Sequence, residues 1–179
     1  MSKQVHINNV EELAALKLSV MGTAESTTTK LKDLLEHKKG IDLFHEIRFL
    51  EFGQDPLEDR PLNLVEQLNQ TFTYLISLMA TEYLLEAHPE HAPYILNLGT
   101  SPGYDVVSKD EVVIAETFAA VSPISNDKLK KDCTRVSTQI GGLYKYVFYY
   151  SPDKLNTDCV GDKFPDVRII QLDLNIGSS

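Results

Sequence analysis

The run EVVIAETFAA, residues 111 to 120, is apolar on both of its alternating faces apart from Glu116 and Thr117. In an extended chain successive side chains point to opposite sides. Val112, Ile114, Glu116 and Phe118 therefore share one face, and Val113, Ala115, Thr117 and Ala119 the other. A strand with two apolar faces needs cover on both, and a mixed α/β sheet with helices on each side supplies it. The same run poses a chemical question, because an ionised carboxylate at Glu116 is costly in that setting unless it is paired, hydrogen-bonded or bound to a metal.

Asp105 lies eleven residues upstream, after a Pro102-Gly103 turn, on a short strand read from GYDVVS. If the polar residues Ser108 to Asp110 form a hairpin turn, Asp105 pairs close to Ile114 or Glu116 and its carboxylate approaches that of Glu116. Two converging carboxylates with a backbone carbonyl make a hard oxygen site suited to Mg²⁺, which keeps several waters and takes few protein ligands. Such an ion orients a phosphodiester and lowers the pKa of an attacking water. Plainer roles stand beside this one: Glu116 pairing with a lysine or reaching water at a strand end, and Asp105 serving the turn.

The elements around this hairpin follow from periodicity and capping. Asn9 with Glu12 opens a short helix that Gly22 stops, and residues 25 to 40 read as a second helix with a basic last turn. Residues 41 to 53 continue as helix and then loop through GQDPLEDRP. The clearest helix covers residues 63 to 88, with Asn63 and Glu66 as a capping box and Val65, Leu68, Phe72, Leu75, Met79 and Tyr83 as its apolar stripe. PYILNLG is a strand before the hairpin. Residues 125 to 140 form a helix facing inward through Leu129, Cys133, Val136 and Ile140. LYKYVFYYS and VRIIQLDLN are the last strands, with Lys145 as an exposed strand position.

With 179 residues, 42% of them hydrophobic, the chain suits one globular domain. No apolar run approaches the ~20 residues of a membrane helix, and the start of the chain lacks a signal-peptide core, so a soluble cytoplasmic protein is expected. Cys133 and Cys159 show neither CxxC nor Cys/His clustering, which argues against zinc and against a disulfide framework. The net charge of -9 excludes a general nucleic-acid coat, yet residues 121 to 150 carry Lys128, Lys130, Lys131, Arg135 and Lys145 against only Asp127 and Asp132.

From residue 63 the order is helix, three strands, helix, strand, with Asp105 in SPGYD on the second strand and Glu116 in AETF on the third. This resembles the core of the PD-(D/E)XK nuclease superfamily, the restriction-endonuclease-like fold, over residues 63 to 151, about half of the chain. Residues 1 to 60 form a helical extension outside the likeness, and residues 152 to 179 a C-terminal strand and tail. The resemblance implies a mixed central sheet and a DNA endonuclease of the restriction type. It implies that Asp105 and Glu116 hold Mg²⁺ or Mn²⁺, and that Glu82 on the preceding helix is a candidate third ligand. It further implies a homodimer, in which two sites cut both strands.

The family also places a lysine two residues after the second acid, where this chain has Phe118. Two readings follow. Lys128 or Lys131, one turn apart on the next helix, takes over the lysine's work, with Ser125, Asn126, Lys130 and Arg135 meeting DNA phosphates near the helix start. Otherwise the lysine is lost and the fold is a catalytically inactive module that binds DNA or protein.

Overall fold

In a computed structural model of the chain, residues 2–99, 101–124, 127–152, 154 and 157–174 are described. The chain divides into two compact units, Ala14–Leu75 and Met1–Leu13 with Ile76–Ser179. The first holds most of α1 (Val10–His37), then α2 (Gly40–Phe49), a small antiparallel hairpin of β2 (Gly53–Gln54) and β3 (Pro61–Leu62), and the first half of α3 (Leu64–Ala87).

Gly22 does not stop the first helix: α1 runs straight through it as one element of 28 residues. A glycine inside a helix weakens it without ending it unless the chain also turns left-handed there, and Gly22 keeps ordinary helical geometry. The segment read as a loop after α2 contains the β2–β3 hairpin, organised by Asp55. Its carboxylate accepts from the Leu57 amide at 3.0 Å and from the Tyr74 hydroxyl at 3.3 Å, and Arg60 stands 3.4 Å away.

The capping box of α3 forms as expected, the Glu66 amide donating to Asn63 Oδ1 at 2.9 Å and the Asn63 amide to Glu66 Oε2 at 3.4 Å. Its buried face is not the anticipated stripe. Leu68 is half exposed, whereas Gln67, Thr71, Tyr74, Leu78, Thr81 and Leu85 are buried. The inward line begins with polar residues because Gln67 Oε1 accepts from Thr27 Oγ1 at 2.8 Å and from the Gln54 amide at 3.0 Å. Hydrogen-bonded in this way, a polar side chain occupies a core position that hydrophobicity alone assigns elsewhere.

The second unit is a mixed sheet of six strands flanked by helices. In spatial order these are β1 (Ser2–Ile7), β4 (Tyr94–Gly99), β5 (Val106–Ser108), β6 (Val113–Ala119), β7 (Tyr144–Tyr150) and β8 (Val167–Gln171). The pairings from β1 to β6 are antiparallel, and β6–β7 and β7–β8 are parallel. Helix α4 (Lys128–Ser137) links β6 to β7, and a short α5 (Asp158–Gly161) precedes β8. Residues 2–7 correct the helical extension: they are an edge strand in which Val5 pairs with Leu96 and Ile7 is fully buried. Six residues with two apolar members carry too weak an alternation to announce a strand; β4 supplies the partner that makes one.

As the double apolar run demands, β6 is buried from Val113 to Phe118. The C-terminal half of α3 covers one face, where Ser77 Oγ lies 2.8 Å from Thr117 Oγ1 and Tyr83 packs edge-on against Tyr146 and Phe148. Helix α4 covers the other face. Leu129, Cys133 and Val136 join Ile114, Phe118, Val147, Tyr149 and Val167 in one core. The helix is shorter than expected, ending at Ser137, so Ile140 lies beyond it and is 96% exposed. Lys145 is the opposite case. Its side chain is largely buried, and its ammonium donates to Ser137 O at 2.8 Å and Asp166 Oδ2 at 3.0 Å. Burial pushes the Cys133 thiol up to about 12, and Cys159 is exposed; both are free. Among the described residues no helix is long and apolar enough to cross a membrane.

A Cβ built on Gly22 meets nothing within 4 Å. Gly22→Ala should therefore raise the unfolding free energy by about 0.5–1 kcal/mol in urea denaturation, through helix propensity and a less flexible unfolded chain.

Candidate active site

Strand β5 starts at Val106, opposite Ala115, so Asp105 stands one step outside the ladder opposite Glu116. The hairpin pairing inferred from the sequence is thus the one formed. Asp105 is held by its neighbours: its carbonyl accepts from the Asn97 amide at 2.9 Å, and its Oδ2 accepts from the Thr117 amide at 2.7 Å and the Thr117 hydroxyl at 3.2 Å. The side chain thereby occupies the amide of Thr117 where a longer β5 would place a backbone carbonyl.

The SPGYD loop that delivers Asp105 is fixed by contacts specific to its residues. Gly103 has φ +110, a left-handed conformation, and a Cβ there would come within 3.0 Å of Asn97 Nδ2. That same Nδ2 donates to Tyr104 O at 2.7 Å. The Tyr104 hydroxyl donates to Gln139 Oε1, just past the end of α4, at 3.0 Å, while Arg135 Nη2 on that helix donates to Gly103 O and its guanidinium lies 5.2 Å from the centre of the Tyr104 ring.

Glu116 is 2% exposed and faces α4. The helix runs back along β6, and residues at i, i+4 and i+7 fall on one side of it, so Lys128, Asp132 and Arg135 line up toward the strand. Lys128 Nζ donates to Asp132 Oδ1 at 2.7 Å and lies 5.4 Å from the centre of the Phe118 ring. Arg135 Nη1 is 2.8 Å from Glu116 Oε1. The guanidinium N–H groups are not aligned on that oxygen, so the contact is a charge pairing without a hydrogen bond. Among the described residues neither Glu116 Oε1 nor Asp132 Oδ2 has a hydrogen-bond partner, although both are buried.

Three acids thus meet two cations. Burial first, and then repulsion from Asp105 and Asp132, pushes Glu116 up to about 8, against the pull of Arg135 and Lys128. Burial likewise raises Asp105 and Asp132 above the ordinary carboxylate range, although the Thr117 hydrogen bonds lower the first and Lys128 lowers the second. With every group ionised the cluster is one positive charge short, and Asp132 Oδ2 is without a hydrogen bond while Glu116 Oε1 has only the Arg135 guanidinium against it. That deficit suits an added cation. Among the described residues no group of three or more His, Cys, Asp and Glu side chains is arranged to hold a metal ion. Asp105 and Glu116 remain as a two-carboxylate donor set, which fits Mg²⁺ completed by water better than it fits a metal needing a full protein cage.

The other expected participants fall differently. Glu82 is half-buried on α3, the helix packed on the Thr117 side of the sheet, away from the face that Glu116 shares with α4. Lys131 and Lys130 are exposed, and the cations acting on the carboxylates are Lys128 and Arg135. Ser125 and Asn126 lie outside the described residues. Asp132 is the group that sequence reasoning missed. Its position three residues after Leu129 and four before Val136 puts it within the apolar stripe of α4, and a charged residue inside such a stripe was the available signal. Compared with protein-family models, with curated proteins and with solved structures, the chain matches none.

The folded protein keeps a proton on Glu116 that the unfolded chain releases near 4.5. Without divalent metal, this group's contribution to stability is therefore complete below that value and is lost as pH rises from 4.5 through about 8. Urea midpoints measured across that window should fall with rising pH in the wild type, and fall less steeply in Glu116→Gln.

Proposed function

We propose that the protein is a divalent-metal-dependent DNA endonuclease of the restriction-endonuclease-like kind, with Asp105 and Glu116 holding Mg²⁺ or Mn²⁺. The observation that carries this reading is the place of Lys128. The strand position where a catalytic lysine is expected holds Phe118, and the Lys128 ammonium lies 5.4 Å from the centre of that ring, brought there from α4. The lysine missing from the strand has a counterpart beside it. Strand order adds support, since β4, β5 and β6 pair antiparallel and β7 adds parallel to β6 through α4.

A divalent cation bound by the two acids supplies Lewis acidity, lowering the pKa of an attacking water and offsetting charge on the phosphate. The chain does the positioning. Thr117 holds one oxygen of Asp105 so that the other is left for the ligand shell. Asp132 holds the Lys128 ammonium, which is nearly half exposed, and keeps it on the Phe118 side of the sheet, where it meets a phosphate oxygen or the water. Arg135, also half exposed, is within reach of the same phosphate. With few cations nearby on an acidic chain, DNA binding should be weak, and its salt dependence shallow because few phosphates are neutralised.

One observation favours a second reading, a nonhydrolytic binding module. Arg135 already stands 2.8 Å from Glu116 Oε1, where a guanidinium serves as a permanent counter-charge in place of a metal.

Nicking of supercoiled plasmid separates the two. With Mg²⁺ or Mn²⁺ the wild type should nick DNA, Asp105→Ala and Glu116→Ala should be inactive, and Lys128→Gln should fall by about 10²–10³-fold, the loss typical of one charge-stabilising donor. If both supercoiled and single-stranded DNA stay intact with either metal, the enzyme reading is lost and the binding module stands.

A further inference from the structure

Helix α2 has no buried residue, yet it is not a polar helix. Ile41, Phe44 and Phe49 are 79%, 67% and 65% exposed, and Leu50 just after the helix and Leu35 in the last turns of α1 are about half exposed. Ile41, Phe44, His45 and Arg48 follow the i, i+3, i+4, i+7 spacing of one helix face. Scattered exposed hydrophobics are normal on any surface. Two phenylalanines and an isoleucine presented by one short helix form a patch of the kind that marks an interaction site. Within the patch the His45 and Phe49 rings lie 5.1 Å apart, and Arg48 stands over Phe49 at 5.7 Å.

The charges around the patch identify what fits it. Going along the helix, exposed Lys38, Lys39 and Asp42 lie at its start, Lys38 also donating to Glu46 Oε1 of its own chain at 3.2 Å, and Arg48 and Glu51 lie at its end. Turned antiparallel about a two-fold axis beside Phe44 and His45, this arrangement is its own complement. Lys38 then meets the second copy's Glu51, Asp42 meets the second copy's Arg48, and Phe44 packs across the axis on its own counterpart. An isologous contact has this property by construction, since residue i meets residue j and j meets i. The opposed helix dipoles add to the same preference.

We propose that α2 is a homodimer interface, in which two copies pack their Ile41, Phe44 and Phe49 faces antiparallel and pair Lys38 with Glu51 across a two-fold axis. The contact stands apart from the chemistry at the carboxylate cluster and holds whether or not the protein cuts DNA. One helix face per copy is a small interface, so the dimer dissociates at concentrations on the order of micromolar.

Sedimentation velocity over a concentration series tests it on the full chain. The wild type should move from monomer to dimer. Phe44→Glu, at an exposed position that leaves the fold intact by circular dichroism, should raise the dissociation constant about 100-fold or more. Lys38→Glu and Glu51→Lys should each weaken self-association by several-fold, about tenfold at most, by setting like charges opposite one another. Mixing these two variants should restore dimers, because both cross-pairs become attractive again. A wild type that stays monomeric at every concentration overturns the proposal, as does one that associates only with a different protein. A dimer indifferent to Phe44→Glu overturns it by placing the interface elsewhere, and failure of the mixed variants to recover overturns the antiparallel pairing.

Discussion

A carboxyl group buried in a strand covered on both faces is the constraint that the rest of the sheet unit answers. Glu116 cannot reach bulk water, so its charge is settled by whatever α4 presents over it. The helix presents Arg135 against the carboxylate, Lys128 beside Phe118, and between them another buried acid, Asp132. Those groups come from every third or fourth residue of a single helix. A shift of α4 by one residue would carry all of them out of place together. The apolar packing of Leu129, Cys133 and Val136 on Ile114, Phe118 and Val147 is what holds that register.

The second carboxylate depends on a different device. Asp105 lies just beyond the end of β5, and its side chain takes the Thr117 amide. The ladder is thus continued by a carboxylate, and the backbone is freed to turn through Gly103, whose left-handed conformation brings Tyr104 and the Gly103 carbonyl to α4. Arg135 touches both halves of the arrangement, pairing with Glu116 on the strand and with Gly103 O in the loop. Loop, strand and helix are therefore coupled at one guanidinium.

The pair of acids was legible because a hairpin has a period of two and a short turn, so residues equidistant from the turn come opposite one another; Asp105, one step beyond the Val106–Ala115 pair, stands opposite Glu116. The inward set of α4 was legible from its helical period for the same reason, as far as Val136. Asp132 was not, because its partners lie on another element and an acid within a stripe has no periodic meaning of its own. The contact of Arg135 with Glu116 was not legible either, because the two lie on different elements. The inward line of α3 escaped notice because it begins with Gln67 and Thr71, whose burial is licensed by hydrogen bonds made to residues remote in the chain. Strand β1 escaped because a strand at an edge exists only through its neighbour.

By itself the sequence determined the α/β class, since a run that is apolar on both faces has few places to go, and it determined which two acids share the hairpin, since that follows from local periodicity. Only the tertiary structure decided which cations stand over them, that a third acid is buried there, and that the Lys128 ammonium comes to lie beside Phe118. The reason is physical. Charge balance at a buried group is set by groups within a few ångströms in space, and the spacing along a chain constrains such neighbours only inside one element.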